Sequence, residues 1–473
     1  MKLSTIAVSV IVGLGVVVTG GSWYSGKQFE QYSSKLPAEI NEQLALLKSI
    51  YDIDAKVKNI KLDRHLFSSD ISYEIETITM DKTDVFQGKG TVYHGPLPLN
   101  QVVKGNLIPT AVSIETNVIA PERLKEIFSS LDFLSTTFNI GYQESISGNI
   151  VVKPYHITNA LNIEQKADGI TSDFKIDKSG NGYAEIHTPL LNSSNSKSNQ
   201  RIDLEQANIH LNWEKKSDYP YLANFDVGVK AKSYKVSPIN PMENSIKVGF
   251  SDVNYTADSK LNKNVYDSTG KMSAKLDIAS QNSQQSFGLL KLDTFSSFDA
   301  KAINELVAYI IGNKTLAPEN MLVLSKTVME RPLKIHINNF SLENEKGKNE
   351  LALILNSDNL ESDVQKFNQI IKLFKQSSFS MKLNISALEQ LLTQLYSLHP
   401  KSNGTPEIIA KEKLNELLYN AKASELAVVD PENIQVTLEI DGGKVKLNGK
   451  EVPEKKVEMA IVMIMFGLSG MGK

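Results

Sequence analysis

Along most of this chain, apolar residues fall at every second position. Ile53, Ala55 and Val57, then Ile60 and Leu62, alternate with polar residues, and Ile71, Tyr73 and Ile75 repeat the pattern. A period of two predicts antiparallel strands with one face buried and one wet. Further strands are expected over residues 111–119, 148–152, 160–163, 170–176, 183–187, 207–213, 223–229, 246–255 and 271–278. One helix around Pro121 to Leu131 is expected to interrupt them. The spacer Lys178-Ser179-Gly180-Asn181-Gly182 reads as a turn, and the Asn- and Ser-rich tract from Asn192 to Gln200 as an exposed loop.

After residue 290 the pattern predicts helices between strands. Leu290 to Leu292 leads into a helix over 299–311, and Met381 to Ile385 into one over 386–398. A second helix follows each, over 318–329 and 406–421, and both open with Pro, as in a diverged internal repeat. Near the C-terminus, Asp441-Gly442-Gly443-Lys444 between Ile434–Ile440 and Val445–Leu447 is a strong hairpin signal.

The first residues break this pattern. Leu3 to Gly26 holds 24 uncharged residues, ending near Trp23 and Tyr24. As a helix the stretch would exceed the ~30 Å hydrocarbon core, with its aromatic rings at the headgroup layer. It reads as a retained signal anchor. The competing reading is a cleaved signal peptide with its apolar region at Ile6 to Val18 and a site near Gly20, Gly21 and Ser22. Residues 28–50 read as an amphipathic helix, and its Ile40, Leu44 and Leu47 stripe calls for the body or a second copy as partner. Met459 to Leu468 is too short to span and reads as a terminal helix.

Composition narrows the chemistry. A hydrophobic content of 41% with 22% charged residues is that of a folded protein, and a net charge of −3 offers no footprint for nucleic acid. The chain has no Cys, so disulfides, thiolate metal sites and Cys nucleophiles are excluded. The histidines at 65, 94, 156, 187, 210, 336 and 399 show no metal-clip spacing. No nucleophile elbow or phosphate-binding loop appears, and no cofactor is expected. Scattered carboxylates leave a glycosidase pair open. Phe67 reads as a core plug, and His94-Gly95-Pro96-Leu97-Pro98 as a rigid chain reversal after a strand.

Several short elements carry a family resemblance. The segment from Gly13 to Lys27, ending Thr19-Gly20-Gly21-Ser22-Trp23-Tyr24-Ser25-Gly26-Lys27, resembles the N-terminus of the bacterial YdgA-like family. Arg64-His65-Leu66-Phe67-Ser68-Ser69 is similar to that family's Arg-Gly-x-Phe-Ser-Ser element, with His65 where the pattern has Gly. His94-Gly95-Pro96-Leu97-Pro98-Leu99 resembles its His-Gly-Pro-x-Pro signature, and Asn448-Gly449-Lys450 fits its C-terminal pattern. The resemblance implies an inner-membrane anchor and a periplasmic body. The family's function is unknown, so it implies no catalytic residues. Arg64, Phe67, Ser68, Ser69, His94, Gly95, Pro96, Pro98, Asn448 and Gly449 are therefore expected to be structural.

The expected fold is α+β: a transmembrane helix at 1–27, an amphipathic helix at 28–50, a β-rich body at 51–290 and a mixed α/β region at 291–473. The body is expected to be a large, mostly antiparallel sheet with helices packed on it, more helical toward the C-terminus. The expected role is non-enzymatic, structural or binding, in the bacterial inner membrane with the body in the periplasm. Its expected partners are the membrane through residues 3–26, a second copy through 28–50, and lipid or another apolar ligand on a curved sheet, with no nucleic acid. The alternative is a periplasmic hydrolase acting on envelope glycan or peptide.

Overall fold

Alternation at period two does produce strands, and they pair almost entirely with their sequence neighbours. The computed structural model describes residues 54–79, 82–158, 163–216, 218–241, 245–281, 283–312, 331–358, 372–398 and 404–453, with Asn41, Leu44 and Val328. The segments expected at 3–26, 318–329 and 459–468 lie outside these residues, Val328 excepted, as does 28–50 apart from Asn41 and Leu44. Among the described residues no helix is long and apolar enough to cross a membrane. These residues divide into two compact units: one runs to residue 215 and includes 227–240, and the other takes 216–226 and everything from 241.

In the first unit, β1 (Asp54–Arg64), β2 (Ser68–Thr79), β3 (Lys82–His94), β4 (Val112–Ile119), β5 (Asp132–Ile140) and β6 (Ile146–Val152) form an antiparallel meander. It continues through β9 (Ile170–Ile176), β10 (Gly182–Asn195) and β11 (Gln200–Lys215). The short strands β7 (Tyr155–Thr158) and β8 (Ile163–Ala167) pair with each other, and β8 pairs with the far end of β10. One registered row, Ser69–Val92–Ile114–Phe138–Gly148–Phe174, crosses six strands. Its side chains are sealed, with Phe138 2% and Phe174 5% exposed. Glycines in this core make room for rings: a Cβ at Gly88 would lie 2.1 Å from the Tyr73 ring. Asn41 pairs its amide with both Val57 backbone groups on β1, and Leu44 is buried in this unit's core. The apolar stripe at 28–50 therefore has the body as partner at Leu44.

The second unit carries β13 (Lys247–Asn262), β14 (Val265–Ala279), β15 (Gln284–Asp299), β16 (Leu333–Asn344), β17 (Gly347–Ser357), β18 (Ser377–Asn384) and β20 (Asn433–Asp441) in one antiparallel ladder. β19 (Val428–Val429), β21 (Lys444–Leu447) and β22 (Lys450–Glu451) complete it. The remaining strand, β12 (Ala223–Pro238), has residues in both units. Helices among the described residues include α1 (Leu99–Val103) in the first unit, and α2 (Ala300–Gly312), α3 (Ile385–Leu398) and α4 (Pro406–Ala423) in the second. Asp299 accepts the N–H of Ala302, and Asn384 accepts that of Ala387, so the strand-final residue caps the helix in both strand–helix passages.

Four expectations about the fold need correction. The region after 290 is not a helix-rich α/β alternation: the antiparallel ladder runs on through it, and the helices are insertions between its strands. The helix expected at 121–131 is one 3-10 turn at Glu122–Leu124. There the Ser129 N–H bonds the Pro154 carbonyl, and Phe128 bridges to Tyr155, so tertiary bonds replace helical ones. The 192–200 tract is a hairpin rather than a loop, with β10 running to Asn195 and β11 starting at Gln200. Ladder partners on both sides override weak local strand propensity. Phe67 is not a core plug: it stands 63% exposed at the β1–β2 tip.

The C-terminal hairpins follow from their turn residues. Gly442 and Gly443, and then Asn448 and Gly449, all adopt positive φ, as a two-residue type I′ turn demands. Asn448 also accepts the Thr437 N–H at 2.8 Å and donates to the Leu426 carbonyl at 3.0 Å. Asn448→Ala loses both bonds and should cost about 1–3 kcal/mol, measured by urea unfolding. A loss below about 0.5 kcal/mol would contradict this role.

Candidate functional site

The motif residues that resemble a family signature do come together, in pairs. The β1–β2 tip and the end of β3 meet where the His94 N–H donates to the Phe67 carbonyl and the His65 N–H to the Ser68 carbonyl. His65 has no positive φ, so its backbone does not require the glycine of the family pattern. The Ser69 hydroxyl lies 2.9 Å from His94 Nε2. The chain then reverses through a cis Gly95–Pro96 bond, with the Gly95 N–H on Ala111 and the Pro96 carbonyl accepting from Thr110. Pro98 is buried and its carbonyl accepts the N–H groups that open α1. Arg64 lies at the end of β1 and Ser68 at the start of β2. Asn448 and Gly449 belong to the separate C-terminal hairpin.

Ser69 and His94 resemble half of a hydrolytic site, but Ser69 lies in the sealed core row, paired with Arg64 on β1, and is 1% exposed. A nucleophile needs access to its substrate, and this hydroxyl has none. The Leu66 carbonyl, not a carboxylate, bonds His94. Burial, and then the positive charge of Arg64, hold the His94 pKa below its usual 6.5. A depressed pKa favours the neutral imidazole in the fold, so this contribution to stability is intact above pH 6.5 and fades as pH falls below it. Thermal melts should therefore weaken on acidification below that point, and His94→Gln should flatten this part of the profile. An unchanged profile in the variant would remove His94 as the cause.

His156, Glu164 and Ser194 also gather, around a small open cleft of about 180 Å³ lined by Glu164, Lys166, Asn192, Ser194 and Arg201. Glu164 takes one bond from His156 and another from Ser194 at 3.2 Å, and these bonds lower its pKa. The acid thus sits between His and Ser, the wrong order for a base that activates a hydroxyl. The other described histidines bond elsewhere: His65 to Asp70, His187 to Asn208, His210 to Asn212 and His336 to Asn356. Among the described residues no group of three or more His, Asp or Glu is placed to hold a metal ion.

The second unit's sheet offers a different arrangement. Cross-strand partners share a face, so aligned registers build rows. Tyr255, Met272, Leu292, Phe340, Leu351, Met381 and Val436 are successive partners across seven strands. The row beside it runs Gly270, Thr294, Ile337, Leu353, Phe379, Leu438 and Leu447. α4 covers the face at the β18–β20 end and α3 packs across β15 to β18, with Leu388 and Leu414 on Ile434 and Leu383 and with Gln394 donating to the Ser286 carbonyl of β15. Toward β13 and β16, Tyr255 remains 39%, Ile335 40% and Phe340 44% exposed. The alternation of these strands is legible in the sequence but the row is not, because register is set between strands that are far apart in sequence.

Comparison with known proteins gives the family but no chemistry. Residues 1–455 match the model of a family described as "Bacterial protein of unknown function (DUF945)". The chain is 31% identical over 227 residues to "Protein YdgA" of Escherichia coli (strain K12), which covers 44% of this chain and 43% of that protein. An "Uncharacterized protein" of Haemophilus influenzae is 32% identical over 156 residues, covering 32% of this chain and 42% of that one. "Uncharacterized protein YihF" of Escherichia coli is 26% identical over 160 residues, 31% of this chain and 33% of that one. The chain thus spans less than half the length of the curated relatives it matches. No solved structure matches. With a family model matched over nearly the whole sequence, this chain belongs to the bacterial family of unknown function DUF945.

Proposed function

We propose that this is an inner-membrane-anchored periplasmic protein that holds lipid or another apolar ligand on the open face of its second unit's sheet, without catalysis. The carrying observation is the difference between two rows of similar length. In the first unit's row, Val92, Ile114 and Phe138 are at most 6% exposed. In the second unit, the row through Tyr255 and Phe340 keeps large apolar side chains 39% and 44% exposed. Exposed contiguous apolar surface of this kind marks a binding site more often than idle surface. From Tyr255 on β13 to Phe340 on β16 the exposed part of the row spans ~14 Å at ~4.8 Å spacing, room for part of an extended acyl chain.

The uncharged stretch from Leu3 to Gly26 supports the anchored location. A reporter active only in the periplasm, fused behind residue 60, should be active, and a cytoplasmic reporter there silent. The ligand is tested on the full chain, exchanged out of its extraction detergent and analysed by organic extraction and mass spectrometry. About one bound lipid or more per chain is expected, and lipid at background level counts against the reading. The hydrolase alternative has no specific support, since Ser69 is sealed and Glu164 separates His156 from Ser194.

A further inference from the structure

One row of cross-strand partners on the second unit's sheet holds a residue out of keeping with the rest. Ala274, Leu290, Leu342, Asn349, Leu383 and Ile434 are successive partners from β14 to β20, and all but Asn349 are apolar. Partners share a face, and Leu383 packs with Leu388 of α3, so Asn349 lies on the face that α3 covers. Both polar atoms of its amide are sealed from solvent and bond nothing.

The helix above repeats the anomaly. Gln394, only 8% exposed, falls within the buried stripe that Ala387 and Leu398 also form on α3. Its Nε2 donates to the Ser286 carbonyl of β15 at 2.6 Å, which leaves Oε1 buried without a partner on the sheet side of the helix. Gln390, one turn earlier on the same side, also has a buried and unbonded Oε1. Buried polar atoms are nearly always bonded, so these amides call for an explanation. Asn349 is also the diagonal neighbour of Phe340, because Phe340 pairs with Leu351 and Leu342 with Asn349. The layer under α3 therefore adjoins the open row.

We infer that Asn349, Gln390 and Gln394 receive the polar head of the ligand, and that this head is uncharged and rich in hydroxyls. The inference rests on the reading that an apolar ligand lies on the open face. Three of the unbonded atoms, the side-chain oxygens of Asn349, Gln390 and Gln394, can only accept. A phosphate or carboxylate also only accepts, so it would leave them unpaired and bury a charge among neutral amides. An ammonium would donate, but its charge would be desolvated there in the same way. Hydroxyls donate to the oxygens and accept from Asn349 Nδ2 with no charge to bury.

The test measures binding of three probes with tails of similar length, 1-decanoylglycerol, decanoate and decylamine, to the full chain after detergent exchange. 1-Decanoylglycerol should bind at least about tenfold more tightly than either charged probe. Asn349→Leu with Gln390→Leu, made singly and together, should abolish that preference and leave decanoate bound as before. The sealed amide atoms bond nothing in the fold, so the melting temperature should hold or rise. A preference that survives the pair, or is missing from the unmodified chain, overturns the inference. So does a lower melting temperature, which would mark the amides as structural groups joined through ordered water. Phe340→Asp separates this inference from the reading beneath it. If it weakens 1-decanoylglycerol and decanoate alike while no preference exists, the open face stands and the head-group site alone falls. If no probe binds, or Phe340→Asp changes nothing, the open-face reading itself fails.

Discussion

Phe340→Asp should strip bound lipid from the full chain by at least tenfold while leaving its fold intact. Phe340 lies mid-row between Leu292 and Leu351 and is 44% exposed, so a carboxylate there is hydrated in the free protein. A ligand lying across the row would have to desolvate that charge. Stripping water from an unpaired ion costs several kcal/mol, and each 1.4 kcal/mol is tenfold in affinity. Lys291→Asp is the matching control, because Lys291 pairs with Ser273 and Ser341 and so lies on the other face. Lipid recovered per chain, measured by mass spectrometry, should fall for Phe340→Asp alone. Equal lipid in both variants would remove this face as the binding surface.

The largest stability effect is expected at Phe138. Its ring is 2% exposed, tilted against Phe174 with centroids 5.8 Å apart, in the sealed row of the first unit. Phe138→Ala removes that packing and leaves a cavity that paired strands cannot collapse, a loss of about 3–5 kcal/mol. Phe67→Ala, at the exposed tip, should change stability by less than about 0.5 kcal/mol. Urea unfolding of the two variants distinguishes these positions. Comparable losses would mean that Phe67 is buried in solution.

Where local chemistry decides, the sequence was readable. Residues 170–176 are a strand with the expected bounds, and Asp441-Gly442-Gly443-Lys444 closes the expected hairpin through two positive-φ glycines. The helices at 300–312, 385–398 and 406–423 begin within one residue of their expected starts. Distant partners decided the rest. The long strands from β10 to β15 run well past their apolar cores because neighbouring strands hold polar stretches such as Ser193 to Asn195 in the ladder. Phe67 stands exposed at a tip whose backbone carbonyl is committed to His94, a contact between two motifs 27 residues apart. The pairing of Ser69 with His94, and the row from Tyr255 to Val436, likewise depend on register that no local pattern encodes.

The most direct measurement places a photo-cross-linking side chain at Phe340 in the full chain within growing cells, with Lys291 as the opposite-face control. Irradiation followed by mass spectrometry should find lipid attached at 340 and little or none at 291. Labelling equal at the two positions, or absent from 340, would contradict the claim that this sheet face holds an apolar ligand.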